Sequence, residues 1–240
     1  MIFDMEGRFF YTVRMLLLMI GIMSMAACVN TQTPEDPFQG YNRSMHGIND
    51  SLDKAILRPI SVAYVSVAPD FVQQAIKNFY KNTRYPLVII NQLLQGKINP
   101  GVRDSGRFLV NSTLGILGFF DPAIQFGLIE HDEDFGQTLG VWGVSSGPYI
   151  VLPFWGPSTL RDAAGDSLHM SSTYIPSYID DIPIRNAMMV LDVLDTRAVL
   201  LDSESMISGG DPYLFIRDAY LQRRAFLVAD GKNETDPFLD

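Results

Sequence analysis

Ile184-Arg-Asn-Ala-Met-Met-Val-Leu-Asp-Val-Leu-Asp-Thr-Arg-Ala-Val-Leu-Leu201 decides the fold class. Within it Ala187, Met188, Leu191, Leu194, Ala198 and Leu201 recur every three or four residues, the spacing that lines up one face of an α-helix. The same period appears between Pro69 and Asn82, at Phe71, Val72, Ala75, Ile76, Phe79 and Tyr80. Pro86 is expected to open a second helix through Leu87-Val88-Ile89-Ile90 and Leu93-Leu94, ending at Gly96. Gly101 to Gly118 reads as a third. Asp211 as cap, Pro212 at the first turn and Gly231 past the end bracket a last one. The best extended stretch is Pro148-Tyr-Ile-Val-Leu-Pro153. The expected class is all-α, one domain of amphipathic, Gly/Pro-interrupted helices with at most a short β-hairpin.

The start of the chain does not belong to that domain. Arg8 and Arg14 precede the apolar run Met15-Leu-Leu-Leu-Met-Ile-Gly-Ile-Met-Ser-Met25, which leads into Ala26-Ala27-Cys28. A positive segment, a short apolar segment and small residues make a secretory signal. The run falls short of the roughly 18–20 residues a spanning helix needs. Asp4 and Glu6 leave Met1, Met5 and Met15 open as the start. Cys28 is the only cysteine, so no internal disulfide can use it. It sits where a lipoprotein signal peptidase requires its acceptor thiol, although Met25 stands where Leu is usual. Residues 1–27 are therefore expected to be a lipoprotein signal peptide, and Cys28 to carry covalent lipid. Several acyl chains there would satisfy stable anchoring. Residues 28–37 read as a lipidated, proline-bearing tether, 38–231 as the helical domain and 232–240 as a polar C-terminal tail.

Composition narrows the function. The chain has 240 residues, 47% of them hydrophobic, and a formal charge of −9. Removing the signal leaves that charge unchanged, because Asp4 and Glu6 balance Arg8 and Arg14. A pI near 4.7 argues against nucleic acid, whose binding is dominated by phosphate neutralisation. It also argues against electrostatic adhesion to an anionic membrane surface. Membrane contact must then be apolar. Leu114 to Phe120 is an apolar run, and Trp142, Tyr149, Phe154 and Trp155 sit in a Gly/Pro-punctuated stretch. In a soluble protein these would be a buried helix and a core aromatic cluster. In a chain held at a bilayer a half-buried, interfacial posture fits them better.

No persuasive catalytic set emerges. Gly143-Val144-Ser145-Ser146-Gly147 matches G-x-S-x-G, the nucleophile elbow of serine esterases. Such an elbow needs a strand before the serine and a helix directly after it; here Gly147-Pro148-Tyr149 follows, and it reads as extended. Glu130-His131-Asp132-Glu133-Asp134 could hold a divalent cation but lacks EF-hand spacing, and a solvated acidic loop is the better expectation. No H-E-x-x-H or P-loop pattern is present. No cofactor or metal is expected beyond the lipid on Cys28. Thirteen arginines stand against five lysines, a bias suited to ion pairs or phosphate.

A series of short motifs carries a family resemblance: Asp36-Pro37, Asn42-Arg43, Asn49-Asp50, Arg58-Pro59, Asn78-Phe79, Leu94-Gln95-Gly96, and Arg107-Phe108 with Asn111. It continues through Gly136-Gln137-Thr138-Leu139-Gly140, Gly147-Pro148-Tyr149, Gly156-Pro157-Ser158-Thr159-Leu160-Arg161-Asp162, Thr196-Arg197-Ala198 and Asp211-Pro212-Tyr213. In this order, over about residues 36 to 230, the chain resembles the MlaA (VacJ) family of outer-membrane lipoproteins. The resemblance implies a ring-shaped helical body in the inner leaflet of the outer membrane of a Gram-negative bacterium, beside trimeric porins. It implies removal of mislocalised phospholipids from the outer leaflet through a central channel, for hand-over to the periplasmic carrier MlaC. The candidate channel or gate residues are Asn42, Arg43, Asn49, Asp50, Trp142, Gly143, Gly147, Pro148, Tyr149 and Trp155. The rival readings are a lipid esterase using Ser145 and a lipoprotein that merely braces porins.

Overall fold

The computed structural model describes residues 36–172, 178–207 and 210–231, without the side chains of 167–172 and 205–207. The signal segment, Cys28 and the 232–240 tail lie outside the described residues. Helix α1 (Gln39–Leu52) passes through a π-helical turn (Asp53–Leu57) into α2 (Arg58–Val67). Pro59 has no N–H for the carbonyl four residues back, and the wider turn spans that gap. Helix α3 (Asp70–Leu94) turns at Gly96, with φ of 77°, into α4 (Ile98–Thr113). A 3₁₀ turn (Pro122–Phe126), α5 (Phe135–Val141), an antiparallel hairpin of β1 (Tyr149–Leu152) and β2 (Gly156–Thr159), and α6 (Leu160–Ser172) follow. The hairpin pairs Tyr149 with Thr159 and Leu152 with Gly156. The chain ends with α7 (Ile182–Val199), a 3₁₀ turn (Asp202–Ile207) and α8 (Pro212–Val228). Asp134, Asp181 and Asp211 cap α5, α7 and α8 by accepting backbone N–H bonds.

Two expected boundaries move. Pro86 lies inside α3 rather than opening a helix. The third helix starts at Ile98 and stops at Thr113, because Ile116, Leu117 and Gly118 all take positive φ. Two non-glycine residues in the left-handed region cost about 1–3 kcal/mol each and persist only when their surroundings impose them. Here Asn82 donates to Ser112 Oγ at 2.9 Å and to the Leu117 carbonyl at 3.4 Å, while Phe119 stacks on Phe79 at 5.0 Å. At Gly118 a Cβ would lie 2.4 Å from Asn82 Cβ, so the residue must be glycine. The result is a knuckle with Leu114, Ile116, Leu117 and Phe120 turned outward, not a buried helix.

The packing closes on itself. Helix α1 lies on β1, β2 on α8, α8 on α5, α5 on α3, α3 on α7 and α7 on α2, which returns through the π turn to α1. A circuit of this kind has little room for an apolar centre, and burial is inverted accordingly. Among the described residues eight hydrophobic side chains are buried against seventeen polar or charged ones. Helix α4 shows the inversion most simply: Asp104, Arg107 and Asn111 face inward, Asp104 with 0% exposure, while Leu109 faces outward at 61%. On α7 the buried residues are Asp192 and Asp195, where the sequence stripe leads one to expect apolar ones. Among the described residues the one apolar cluster is small, Tyr149, Val151 and Tyr213 with Met45, Leu214, Tyr220 and Leu221 against it. No described helix is long and apolar enough to cross a membrane.

Ion pairs and close glycines hold the circuit where a core would otherwise do so. Arg224 of α8 reaches Asp134 Oδ1 at 3.0 Å and Asp162 Oδ1 at 2.9 Å, tying α8 to the cap of α5 and to α6. Burial alone would lower the Arg224 pKa, but its bonds to the two carboxylates outweigh that and raise it. Burial would likewise raise Asp134 and Asp162, yet Arg224 holds both below the usual carboxylate range. Across the circuit Arg197 grips Asp53 at 2.6 and 2.8 Å, pinning the π turn to α7. Helices α5 and α6 meet at glycines: a Cβ on Gly165 would sit 2.6 Å from the Gly136 backbone nitrogen.

Gly165→Ala is therefore expected to destabilise by about 1–3 kcal/mol through overpacking against fixed backbone. Gly40→Ala, with nothing within 4 Å of its Cβ, serves as the silent control in denaturation of the detergent-solubilised protein. Arg224→Ala leaves Asp134 without its cation and Asp162 with Arg161 alone, and should cost about 3–5 kcal/mol. The folded Asp134 and Asp162 pKa values lie below the unfolded value of about 3.9, so their stabilisation is complete above about pH 4. It is lost as pH falls through the lower folded values, and Arg224→Ala should flatten that acid limb of the stability profile.

Candidate functional site

A cavity of about 800 Å³ opens between α5, the α3–α4 turn, the hairpin's end and α8. Leu221, Ala225 and Val228 fall one turn apart on α8 and, with Val141, make an apolar wall; Arg224 lies in the same stripe. The polar side is built by Gln95 and Lys97 from the α3–α4 turn, Ser146 and Thr159 from either side of the hairpin, Arg161 from α6 and Asp230 beyond α8. An apolar wall facing a charged one suits an amphiphile, and the volume lies within the usual range of about 300–1,000 Å³ for ligand pockets.

The short motifs find their reasons here. Thr138 is fully buried, donates to Asn91 Oδ1 at 2.8 Å and accepts from Gln95 at 3.1 Å. At Gly140 a Cβ would press on Arg161 at 2.9 Å and on Val228 at 3.0 Å. Thr159 Oγ1 accepts from the Asp162 N–H at 3.2 Å, starting α6 so that Arg161 and Asp162 pair at 2.9 Å beside the cavity. The acidic run 130–134 is not a solvated loop. Glu130 pairs with Lys81 at 2.6 Å, His131 with Asp104 at 2.9 Å, Glu133 with Lys97 at 2.7 Å, and Asp134 with Arg224. Glu133 and Asp134 are spent inside the fold while the Glu130–Lys81 pair is exposed, and among the described residues no group of side chains is arranged to hold a metal ion.

The sequence candidates divide. Asn42 and Asn49, two helical turns apart on α1, clamp the hairpin through their side-chain amides. Asn42 donates to the Tyr149 carbonyl at 3.1 Å and accepts from the Val151 N–H at 2.9 Å. Asn49 repeats the pattern on the Leu152 carbonyl and the Phe154 N–H, both at 2.9 Å. An asparagine amide carries the same donor and acceptor as a peptide group, so α1 substitutes for a strand along the β1 edge. Arg43 pairs with Asp211 at 2.7 Å and lies 4.5 Å over the Tyr213 ring. Tyr149 is buried in the apolar cluster, and desolvation first, then the Asp36 charge, push its hydroxyl up to about 12. Asp36 itself, inside the stretch read as tether, is buried and bonded to Asn42 and Tyr213.

The rest do not gather there. Asp50 makes an exposed pair with Lys54 at 2.8 Å. Trp142 and Trp155 are exposed, the former donating to the Leu94 carbonyl at 3.1 Å. Gly143 and Gly147 supply positive-φ turns around Ser145, and Pro148 leads into β1. Neither these nor the tryptophans line the cavity; from this segment Gly140, Val141 and Ser146 do. Ser145 follows a helix and precedes a strand, the reverse of an esterase elbow. Sequence reasoning passed over Lys97, Arg224 and Asp230, which are isolated charges until the fold brings the α3–α4 turn against the end of α8.

Comparison with known proteins agrees with this architecture. The family model described as MlaA lipoprotein matches residues 34–227. The chain is 36% identical over 230 residues to the intermembrane phospholipid transport system lipoprotein MlaA of Escherichia coli (strain K12), covering 91% of this chain and 90% of the relative. The protein of the same name from Haemophilus influenzae is 27% identical, with 92% of each chain covered. A solved structure reported as the structural basis for maintenance of bacterial outer membrane lipid asymmetry superposes with a TM-score of 0.71 at 36% identity, covering 80% of this chain and 98% of that one. With most of its length matched by the family model and by relatives above 30% identity, this chain belongs to the MlaA lipoprotein family.

Proposed function

We propose that this chain is a lipoprotein of the Gram-negative outer membrane that removes mislocalised phospholipids from the outer leaflet and passes them to a periplasmic carrier, so maintaining lipid asymmetry. The observation that carries the reading is the inversion of burial: apolar side chains outside, polar ones inside, with an open amphipathic cavity beside them. Such an exterior is at ease among acyl chains. Such an interior offers a headgroup a way past hydrocarbon, which would otherwise cost several kcal/mol for each unpaired polar group. Lipid on Cys28 would hold the body at the inner leaflet, with trimeric porins beside it and a periplasmic carrier of the MlaC kind as acceptor. The hairpin clamped by Asn42 and Asn49 is the movable wall: side-chain hydrogen bonds, each contributing about 1 kcal/mol, hold it closed.

Deleting the gene should raise phospholipid on the cell surface, read by its accessibility to added phospholipase. Intact protein and Ser145→Ala should both reverse the rise. An unchanged surface on deletion would remove the transport reading and favour a porin brace; failure of Ser145→Ala alone would favour an esterase. Asn49→Leu removes two of the clamp bonds, and it should fold yet leave cells more sensitive to detergent than the intact protein does. Wild-type resistance in that strain would rule out the clamp as a gate.

A further inference from the structure

The cavity's three cations are not equally committed. Arg224 holds Asp134 and Asp162, and Arg161 holds Asp162, all with side chains almost wholly shielded from solvent apart from the part-buried Asp134. Breaking those pairs strands charge in a buried place. Lys97 differs. It pairs both with Glu133, which is buried, and with Asp230, whose side chain is 44% exposed. Asp230 sits just past the end of α8 on a left-handed backbone, φ 54°, where its N–H donates a turn bond to the Leu227 carbonyl. If Asp230 moves away, Lys97 keeps Glu133. The Lys97–Asp230 pair is thus the most solvent-exposed ionic closure of the cavity.

We propose that Lys97 and Asp230 are the headgroup-recognition pair of this cavity and that they select a zwitterionic phosphodiester carrying a primary ammonium, an inference that rests on the phospholipid-transport reading. The selection follows from charge balance. Around the cavity three cations, Lys97, Arg161 and Arg224, face five carboxylates: Glu133, Asp134, Asp162 and Asp230 in ion pairs, and Asp166 beside Arg224. A zwitterion replaces each partner of the opened pair with its own opposite charge: phosphate on Lys97, ammonium on Asp230. A net-anionic headgroup satisfies Lys97 but leaves Asp230 unmatched and adds a negative charge to a surplus of them. The ammonium's own chemistry adds a preference to the electrostatic one. A primary ammonium has N–H groups to donate to the Asp230 carboxylate; a quaternary ammonium has none.

The test uses the full lipoprotein in a non-ionic detergent, with short-chain phosphatidylethanolamine, phosphatidylcholine and phosphatidylglycerol as probes and native mass spectrometry as the readout. Phosphatidylethanolamine should bind more tightly than phosphatidylglycerol by about threefold or more, the scale of one partly exposed ion pair, with phosphatidylcholine between them. Asp230→Asn, which suits a left-handed backbone equally well, should abolish the preference while leaving the melting temperature within a degree or two. Equal binding of the three lipids, tighter binding of phosphatidylglycerol, or a preference that survives Asp230→Asn would each overturn the proposal. Binding of none overturns it for this cavity; the transport reading itself then stands or falls separately, on whether deletion raises surface phospholipid.

Discussion

The fold is governed by a requirement that its inward-facing polar and charged residues find partners on distant elements. Among the described residues the apolar core, the usual source of stability, is reduced to one cluster around Tyr149, Val151 and Tyr213. Hydrogen bonds and ion pairs then decide whether the circuit closes. Arg224 between Asp134 and Asp162, Arg197 on Asp53, and Asn42 and Asn49 on β1 each join elements far apart in sequence. A buried pair of this kind contributes little net stability over an apolar replacement but is expensive to break singly. Its effect is geometric: it dictates which surfaces meet.

The same requirement explains what could be read from sequence and what could not. Periodicity located α7 well, because helices announce themselves by period whatever surrounds them. It assigned the wrong centre to the buried face, since the stripe from Ala187 to Leu201 flanks Asp192 and Asp195 and these are the residues buried. A rule that puts apolar residues inside fails for a body that buries Asp104, Arg107 and Asp192 and leaves Leu109 and Leu117 exposed. Caps were legible at Asp211-Pro212 because their chemistry is local. Pro86 was misread because a proline inside a long helix can be tolerated when tertiary packing carries the helix through. The knuckle after Thr113 was beyond reach: positive φ at Ile116 and Leu117 is imposed by Asn82 and Phe79, more than thirty residues away. The candidate site divides along the same line. Asn42 and Asn49 stood in motifs and could be named. The Lys97–Asp230 closure joins residues 133 apart in sequence and has no local signature.

Function follows from the inversion rather than from any single catalytic group. An exterior of Leu109, Leu114, Ile116, Leu117 and Phe120 is costly in water and comfortable among acyl chains. An interior of paired charges is costly in hydrocarbon unless protein surrounds it. The cavity lies where these two conditions meet, with one apolar wall and one charged wall. The acidic 130–134 segment, which alone suggests a cation site, serves instead as the staple joining α3, α4, α5 and α8. The G-x-S-x-G match is a turn between α5 and β1.

The central claim is that the outward apolar face lies in lipid while the inward face does not. It can be tested directly, since Cys28 is the only cysteine and its thiol is expected to be acylated, leaving nitroxide labels free to report single introduced positions. Labels on Leu109→Cys and Leu117→Cys, in protein reconstituted into bilayers, should collide readily with oxygen and poorly with a water-soluble nickel chelate. A label on Ser146→Cys, at the cavity, should show the opposite ratio. If Leu109→Cys and Leu117→Cys instead meet the chelate as freely as an exposed residue in water, the apolar face is not in the membrane and the account fails.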